Sequence, residues 1–342
     1  MPAENIIRHV IIHDLRKNGA GFDVVAGADG RAVTATVQRV VDELHNLYSR
    51  RASKAHGKFS ADQDNYPVQR FLREFVDGGS VAFHDLTLRM MNTLATQAAR
   101  KTAATGGHVF FASFDRDGRT FLMVAIVNDK LGATLTHALE LQDAQHLDLD
   151  GFRFAGRINI TGWLAAEERY IGFLKGKGDV AEYFKEFLGC DTTVQDRVDT
   201  GALVKVVKDF ATSQGMDEQE RDRFLHKAKT ICDELAKRRE PISFQAFANE
   251  LHPNAPEELV ELLADPELQL SDGFVPDRRA LSSLVKFKAR TRLWSVEFDR
   301  QAMTEGMVQF NDEDATLTLR GLPQELVEAL RADGTDDGQD HV

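Results

Sequence analysis

Two apolar runs separated by a short polar turn are the feature that most constrains the fold of this chain. The runs are HVFFASFD and TFLMVAIV, and the residues RDGR between them contain Asp117-Gly118. An Asp-Gly pair between two apolar runs is a strong signal for a β-hairpin, because the tight turn needs positive φ angles that both residues tolerate. The sequence therefore predicts two neighbouring antiparallel strands in the first half of the chain.

The rest of the first half predicts a sheet with helices packed on it. Residues 5–15 are rich in Ile and Val, and residues 152–160 alternate apolar and polar positions, so both segments are predicted strands. Apolar residues three and four positions apart predict helices over residues 34–53, 66–76 and 81–101. We expect an N-terminal α+β domain over residues 1–165 that contains a mixed sheet with packed helices.

The second half is predicted to be mostly helical. Helical spacing covers residues 180–188, 195–213, 217–237, 243–251 and 255–264, and two more helices begin at Pro276 and Pro323. Asp217 followed by Glu220 resembles a capping box. Three short apolar segments, LWSVEFD, MVQF and TLTL, predict a small antiparallel sheet. We therefore expect a mainly helical domain over residues 166–332 and a disordered acidic tail over residues 333–342, which makes the whole chain α+β.

Cysteine content and apolar run length indicate the cellular compartment. Of the 342 residues only Cys190 and Cys232 are cysteines, and two lone thiols are typical of a reducing cytoplasm, although a disulfide between them stays an open alternative. The N-terminus has no basic segment ahead of an apolar one, so no secretory signal is expected. The longest clean apolar run, Phe121–Val127, is far shorter than a membrane span. We expect a cytoplasmic protein with no membrane partner.

The charge of the chain is unevenly distributed. The formal net charge of −12 taken as a whole argues against a nucleic-acid partner. The acids, however, are concentrated in residues 248–272 and 311–342, whereas residues 278–292 contain only basic charges. Such asymmetry permits a basic surface on an acidic protein. A solvated loop is the alternative interpretation of the basic segment.

One segment has the composition of a phosphate-binding loop. RYIGFLKGKGDVAEYFKEFLGC, which begins at Arg169, places glycines and lysines ahead of a predicted helix. It is not a Walker A loop, because the spacing from Gly172 to Lys177 is one residue short and a glycine stands where Ser or Thr would coordinate magnesium. It also lacks the strand and acidic residue of a dinucleotide site. The alternative is a turn into a core-packed helix, with Lys175 and Lys177 left as candidates for a DNA phosphate.

No other pattern predicts a catalytic, metal or cofactor site. HExxH and CxxC do not occur, and the histidines are scattered, so no metal or cofactor is expected. A restriction-type nuclease core needs an acid, one residue and then Lys, which occurs nowhere in the chain. Cys190 follows a predicted helix end, where the dipole does not activate a thiol, and is interpreted as structural. No predicted helix pair has a basic recognition face, which argues against a helix-turn-helix.

Three segments together resemble one known family. They are DELHNLYSRRASKAHGKFS from Asp42, the segment from Arg169 quoted above, and GFVPDRRALSSLVKFKARTRLWSVEFD from Gly273. In this order and at nearly this spacing they are similar to bacterial nucleoid-associated proteins of the YejK/NdpA type, and the resemblance covers most of the chain. It implies a cytoplasmic protein of the nucleoid that binds double-stranded DNA with little sequence preference. It implies no catalytic residues.

Candidate DNA contacts follow from charge, because non-specific binding needs a basic surface rather than a motif. The candidates are Arg50, Arg51, Lys54, Lys58, Arg169, Lys175, Lys177, Arg278, Arg279, Lys286, Lys288, Arg290 and Arg292. We further expect a homodimer, with other nucleoid proteins such as a topoisomerase as additional partners. Two alternatives stay open. One is an interaction module whose acidic run Glu257–Glu267 docks a basic partner, and the other is a metal-dependent nuclease.

Overall fold

The computed structural model of the chain describes residues 5–19, 21–29, 32–78, 81–102, 104–175, 182–192 and 195–334. The elements of the first half are β1 (Ile6–Asn18), β2 (Gly21–Val25), α1 (Ala35–Arg50), β3 (Lys54–Phe59), α2 (Val68–Val76), α3 (Phe83–Ala99), β4 (Gly107–Arg116), β5 (Arg119–Val127), β6 (Asp129–Leu135), β7 (Leu141–Leu147), β8 (Phe154–Asn159), α4 (Ile160–Leu164), β9 (Ile171–Leu174), α5 (Glu182–Leu188) and β10 (Cys190–Thr192).

The second half is richer in helices. Its elements are α6 (Asp196–Ser213), α7 (Glu218–Arg238), α8 (Phe244–Leu251), α9 (Pro256–Leu263), α10 (Arg278–Leu281), a 3-10 turn (Ser282–Leu284), β11 (Lys286–Arg290), β12 (Ser295–Asp299), α11 (Gln301–Thr304), β13 (Val308–Asn311), β14 (Thr316–Leu319) and α12 (Gln324–Gly334).

In the described part of the chain, eight strands form one sheet in the order β10-β3-β9-β8-β5-β4-β1-β2. Each neighbouring pair in this order is antiparallel. The predicted hairpin is confirmed as β4–β5, in which Arg116 pairs with Arg119. Asp117 and Gly118 between them have φ angles of 49° and 75°. These are the two positive values that a tight hairpin turn requires.

Helices cover both faces of this sheet, which explains why the central residues of β4 and β5 are almost all apolar and buried. One core cluster combines the apolar residues of α3 with Phe111 and Val124. A second combines those of α1 with Phe110 and Met123. Successive strand residues point to opposite faces, so neither face of the central strands is left to solvent.

The predicted α+β class is confirmed, and two details of the first half differ from the prediction. The sheet is antiparallel, whereas a mixed sheet is expected from the sequence, because helices between strands do not by themselves indicate strand direction. The predicted boundary at residue 165 falls inside the sheet, because β9 and β10 lie beyond it and pair with β8 and β3. Strands of four and three residues are too short to give a periodic signal.

Contacts between Cα atoms divide the chain into two compact units. The first unit comprises Met1–Leu203 with Glu240–Val275, and the second comprises Val204–Arg239 with Pro276–Val342. In its described residues the second unit contains two small sheets, β11–β12 and β13–β14, where the sequence predicts one.

The helix boundaries of the second half largely follow their sequence signals. The predicted capping box begins α7, because Asp217 Oδ1 accepts a hydrogen bond from Glu220 N at 2.8 Å and Glu220 Oε2 accepts one from Asp217 N at 3.1 Å. α12 extends to Gly334 and so includes the first two residues of the predicted tail. The other tail residues, 335–342, lie outside the described residues. No helix in the described ranges is long and apolar enough to cross a membrane.

Candidate nucleic-acid interface

Four of the predicted cations lie on the hairpin formed by β11 and β12. Lys286, Lys288 and Arg290 occupy alternate positions of β11 and are exposed. Alternate positions of a strand share one face, so the three side chains form a basic row. Arg292 follows in the loop after β11 and is also exposed. The structure thus brings together four residues that the sequence could only group by proximity.

One acid interrupts this basic row. Glu297 on β12 pairs directly with Lys288, and its carboxylate lies 3.1 Å from the Nζ atoms of both Lys286 and Lys288. Hydrogen bonds from Lys288 and then from Lys286 lower the pKa of this carboxyl. Among the residues that the structure describes, Arg290 and Arg292 have no ion-pair partner. Their positive charge is therefore uncompensated at the outer end of the hairpin.

The base of the hairpin is fixed to α7. Arg300, which follows β12, donates its backbone N–H to Val285 O at 2.7 Å. Its Nε lies 2.9 Å from Asp222 Oδ1 on α7, and its guanidinium lies over the ring of Phe287 at 4.9 Å. Phe287 pairs with Phe298 on the face opposite the lysines. The hairpin consequently has a basic face, an aromatic face and an anchored base.

Arg278 and Arg279 lie in the second unit as well, at the start of α10. Asp277 caps this short helix by accepting a hydrogen bond from Ala280 N at 2.8 Å. Both arginines are exposed. Arg278 Nε is 3.7 Å from Asp233 Oδ1 on α7, a separation too long for a hydrogen bond. Both side chains are therefore available to an external anion.

The predicted cations at the end of α1 and just after it are divided between the surface and the interior. Lys58 on β3 is exposed. Arg50 is exposed and lies 3.7 Å from Glu261. Arg51 donates to Asp150 O at 2.6 Å and lies over the ring of Phe152 at 5.4 Å. These three keep some access to solvent, although Arg51 already has two partners.

Lys54 and Arg169 are buried, and their charged groups bind partners inside the protein. Lys54 donates to the carbonyl oxygens of Ser49 and Arg51 at the end of α1. Burial, and then the charge of Arg157, lower the pKa of the Lys54 ammonium to about 7. Arg169 holds the buried Asp199 with two hydrogen bonds of 2.5 and 3.0 Å. Neither side chain faces solvent, so we remove both from the candidate DNA surface.

The lysines of the glycine-rich segment give a mixed outcome. Lys175 is exposed and donates to Asp272 O at 3.0 Å. Lys177 lies outside the described residues. Upstream, Tyr170, Ile171 and Gly172 line a cavity of about 10 Å³, which has room for about one water molecule. This cavity is far smaller than the roughly 300 Å³ at which ligand pockets begin, so it does not support a nucleotide site there.

The walls of that cavity include buried polar groups. Arg157 Nη1 lies 3.3 Å from His45 Nε2, and Arg157 Nη2 donates to Glu267 Oε1 at 2.9 Å. Burial lowers the pKa of His45 and that of His56 to about 3. Both imidazoles are therefore neutral at physiological pH, and the cluster is a structural network of the first unit.

The described residues contain no group of three or more His, Cys, Asp or Glu side chains placed to hold a metal ion. Cys190 and Cys232 are both free and buried. Burial raises the pKa of each thiol to about 12. Thiols with such pKa values are unreactive at neutral pH, in agreement with the structural role expected for Cys190.

Comparison with known proteins decides the family. The model of the family described as "Nucleoid-associated protein YejK" matches residues 11–327. The chain belongs to the YejK family. Curated nucleoid-associated proteins of Pseudomonas fluorescens and Azotobacter vinelandii are each 28% identical to it, over 95% of this chain and 98% of theirs. One from Pseudomonas syringae pv. tomato is 27% identical, over 95% of this chain and 99% of its own length.

Membership of the YejK family confirms the resemblance and supports a role at the nucleoid. Three residues of the β11–β12 hairpin were not recognised as site residues in the sequence. Glu297 was missed because only the strand register places it opposite Lys288. Leu293 and Trp294 were missed because they read as the start of the strand LWSVEFD. In the structure they belong to the loop between β11 and β12, and both are exposed.

Proposed function

We propose that this YejK-family protein binds double-stranded DNA with little sequence preference, as a non-enzymatic protein of the cytoplasmic nucleoid that serves chromosome organisation. The observation that carries the proposal is the row Lys286, Lys288 and Arg290 on one face of an exposed strand, followed by Arg292. Non-specific DNA binding consists mostly of phosphate neutralisation by such side chains.

The spacing of the row suits a phosphate backbone. Lys286 and Arg290 are four residues apart, which is about 13 Å along a strand. One DNA strand presents a phosphate about every 3.4 Å along the helix axis, so the row can follow several consecutive phosphates. Contacts to phosphates position a protein without reading base sequence, which accounts for the proposed lack of sequence preference.

Binding of the whole chain to a duplex, measured over a series of salt concentrations, tests this function. We expect log K to fall linearly with log salt. Replacing Lys286, Lys288, Arg290 and Arg292 by Gln is expected to reduce that slope by about 2 to 4, because each lost phosphate contact removes about 1 and Glu297 already compensates the two lysines.

A matched control removes the same net charge elsewhere in the second unit. Lys205, Arg223, Lys227 and Lys237 are exposed helical residues, and their replacement by Gln is expected to change the slope much less. Absence of binding at low salt would contradict the proposed function. Equal effects of the two variants would keep DNA binding but move it away from the hairpin, with Arg278, Arg279, Lys58, Arg50, Arg51 and Lys175 as the next positions to test.

We further propose that the protein is a homodimer, and the hairpin β6–β7 supports this. Leu131, Leu135 and Leu141 share one face of the hairpin, and Leu139 lies in its loop. These four side chains are 59–80% exposed. An isolated two-stranded hairpin is at best marginally stable in water, and a second copy that covers the exposed leucine face would stabilise it.

The size of this apolar face is sufficient for two copies to cover each other. Burying four leucines on each copy removes roughly 800 Å² of apolar surface from water at about 100 Å² per leucine. Apolar area makes up about 65% of a homodimer interface, so the complete contact is on the order of 1,200 Å². That reaches the size of a specific protein–protein interface.

The acidic surface of α9 favours a second candidate function, the docking of other nucleoid proteins such as a topoisomerase. Glu257, Glu258 and Glu261 are exposed on this helix, and a basic partner would complement them. A pull-down that survives nuclease treatment would support a direct protein contact.

Prolonged incubation of plasmid with Mg²⁺ or Mn²⁺ tests the remaining alternative, a metal-dependent nuclease. We expect the plasmid to stay intact.

A further inference from the structure

The loop at the outer end of β11–β12 presents two large apolar side chains directly beside the basic row. Leu293 is 87% exposed and Trp294 is 55% exposed. They follow Arg292 and lie between strands whose last paired residues are Arg290 and Ser295. A loop in this position is expected to hold polar residues, because leaving apolar side chains in contact with water is unfavourable.

The loop has a defined shape. Thr291 N donates to Trp294 O at 2.8 Å, and the Thr291 hydroxyl accepts from Leu293 N at 3.2 Å and from Trp294 N at 3.1 Å. These bonds close the turn through the backbone and one hydroxyl only. The apolar side chains therefore take no part in closing the loop, and the backbone that carries them is already ordered before binding.

Cations next to an exposed apolar tip match the chemistry of duplex DNA. Phosphates form its outer surface, and the apolar faces of the bases lie within the stack between them. DNA-binding proteins use apolar side chains such as Leu, Ile, Met and Phe as wedges that unstack a base step from the minor groove, which kinks the duplex by roughly 20–90°. An indole can in addition stack on a base, as aromatic residues do in single-strand binding.

We propose that Leu293 and Trp294 insert into the DNA duplex while Lys286, Lys288, Arg290 and Arg292 hold the flanking phosphates. The protein would then bend DNA in addition to binding it. This proposal rests on the proposed function, since it assigns a second kind of contact to the same hairpin. It predicts that the apolar tip and the basic row contribute differently to binding: the row sets the salt slope, whereas the tip sets the bend.

The chain contains a built-in reporter of insertion. Trp163 is buried, with Phe59 against its ring and Arg73 over it at 4.1 Å. The second of the two tryptophans is Trp294. In a Trp163→Phe variant, whose unfolding transition is checked first, all tryptophan fluorescence comes from the loop. The unmodified chain provides the same information through selective quenching by acrylamide, which reaches the exposed indole and not the buried one.

The first measurement adds a 30-base-pair duplex at low salt and records fluorescence and acrylamide access. We expect Trp294 emission to be quenched by base stacking and its acrylamide access to fall several-fold.

The second measurement uses a duplex labelled at both ends for energy transfer. We expect the ends to approach each other with the unmodified protein. With Leu293→Ser/Trp294→Ser we expect no approach, an affinity lower by on the order of tenfold, and an unchanged salt slope.

The outcomes separate this proposal from the proposed function. No duplex binding at low salt overturns both. Binding that leaves Trp294 emission, acrylamide access and end-to-end distance unchanged overturns insertion and leaves the phosphate contacts standing. Shielding of Trp294 by phosphatidylglycerol vesicles, or by raised protein concentration alone, without shielding by duplex, also overturns it, because the tip would then serve a lipid surface or a second copy.

Discussion

At the scale of single residues, burial decides which basic side chains can meet a phosphate. Arg169 and Arg290 are equally charged in the sequence, yet Arg169 is buried against Asp199 whereas Arg290 is exposed on a strand. Removing one partner of a buried ion pair is strongly destabilising, because the other charge is then left uncompensated in the interior. Arg169 therefore stabilises the first unit, and its position in the glycine-rich segment does not make it a candidate DNA contact.

Replacing Arg169 by Met tests this assignment. The change leaves Asp199, which is 1% exposed, without its guanidinium partner, and the expected loss of unfolding free energy is about 3–5 kcal/mol. Urea unfolding followed by circular dichroism measures it. The double change Arg169→Met/Asp199→Leu is expected to recover much of the loss, because it removes both charges. The salt slope of DNA binding, measured where each variant is folded, is expected to stay the same; a reduced slope would return Arg169 to the DNA surface.

At the scale of elements, long periodic segments were predictable and short or polar ones were not. The hairpin β4–β5 was predictable because both strands are apolar and its turn residues are specific. The helices α1 and α3 were predictable from apolar residues three and four apart. β9 was not, because four residues in a glycine-rich segment carry no period. β6 and β7 were missed because they contain one β-branched residue and no aromatic residue, and because the two leucines of β7 are separated by five mostly polar residues.

The candidate site was predictable in composition and not in arrangement. The cations of the segment KFKART were visible as charge. Which of them share a face depends on the strand that begins at Lys286, and the compensation by Glu297 depends on the pairing of that strand with β12. The pairing register of two strands cannot be predicted from charge alone. The position of Glu297 opposite Lys288 was therefore known only from the structure.

Replacing Glu297 by Gln tests the hairpin as an element. The change releases Lys286 and Lys288 from a shared acid that lies 3.1 Å from each, so both become available to phosphates. We expect DNA affinity to rise several-fold and the salt slope to steepen by about 1 to 2. Binding titrations at three or more salt concentrations measure both.

The matched control is Glu313→Gln, which removes one exposed acid from the loop between β13 and β14. Its net charge change is the same, and its position is on a different hairpin. A rise in affinity of equal size in both variants would show that overall charge, and not the basic row, determines binding.

At the scale of the whole molecule, an acidic protein has to concentrate its basic residues to bind DNA. The net charge of −12 repels a polyanion at long range, and at about 0.15 M salt this repulsion is screened beyond roughly 8 Å. A local basic row can therefore act at short range. If the proposed dimer placed two such rows on one duplex, the second contact would be intramolecular and would raise the overall affinity without new kinds of contact.

The dimer and its link to DNA binding can be tested with one variant. Leu131→Thr/Leu135→Thr/Leu141→Thr removes the apolar face of β6–β7 and keeps residues that favour strands. We expect the dimer dissociation constant to rise at least about 1,000-fold, because six buried leucines are lost from the interface. Light scattering over a range of concentrations should then give the mass of one chain, whereas the proposed dimer of the unmodified protein should give the mass of two.

The control changes the opposite, polar face of the same hairpin through Lys130→Thr, Gln142→Thr and His146→Thr, and it should stay dimeric. If dimerisation joins two basic rows on one duplex, the monomeric variant should also lose about half of the salt slope, since it neutralises about half as many phosphates. A monomeric variant with the full slope would mean that each chain engages DNA alone. A variant that stays dimeric would place the interface on another surface of the chain.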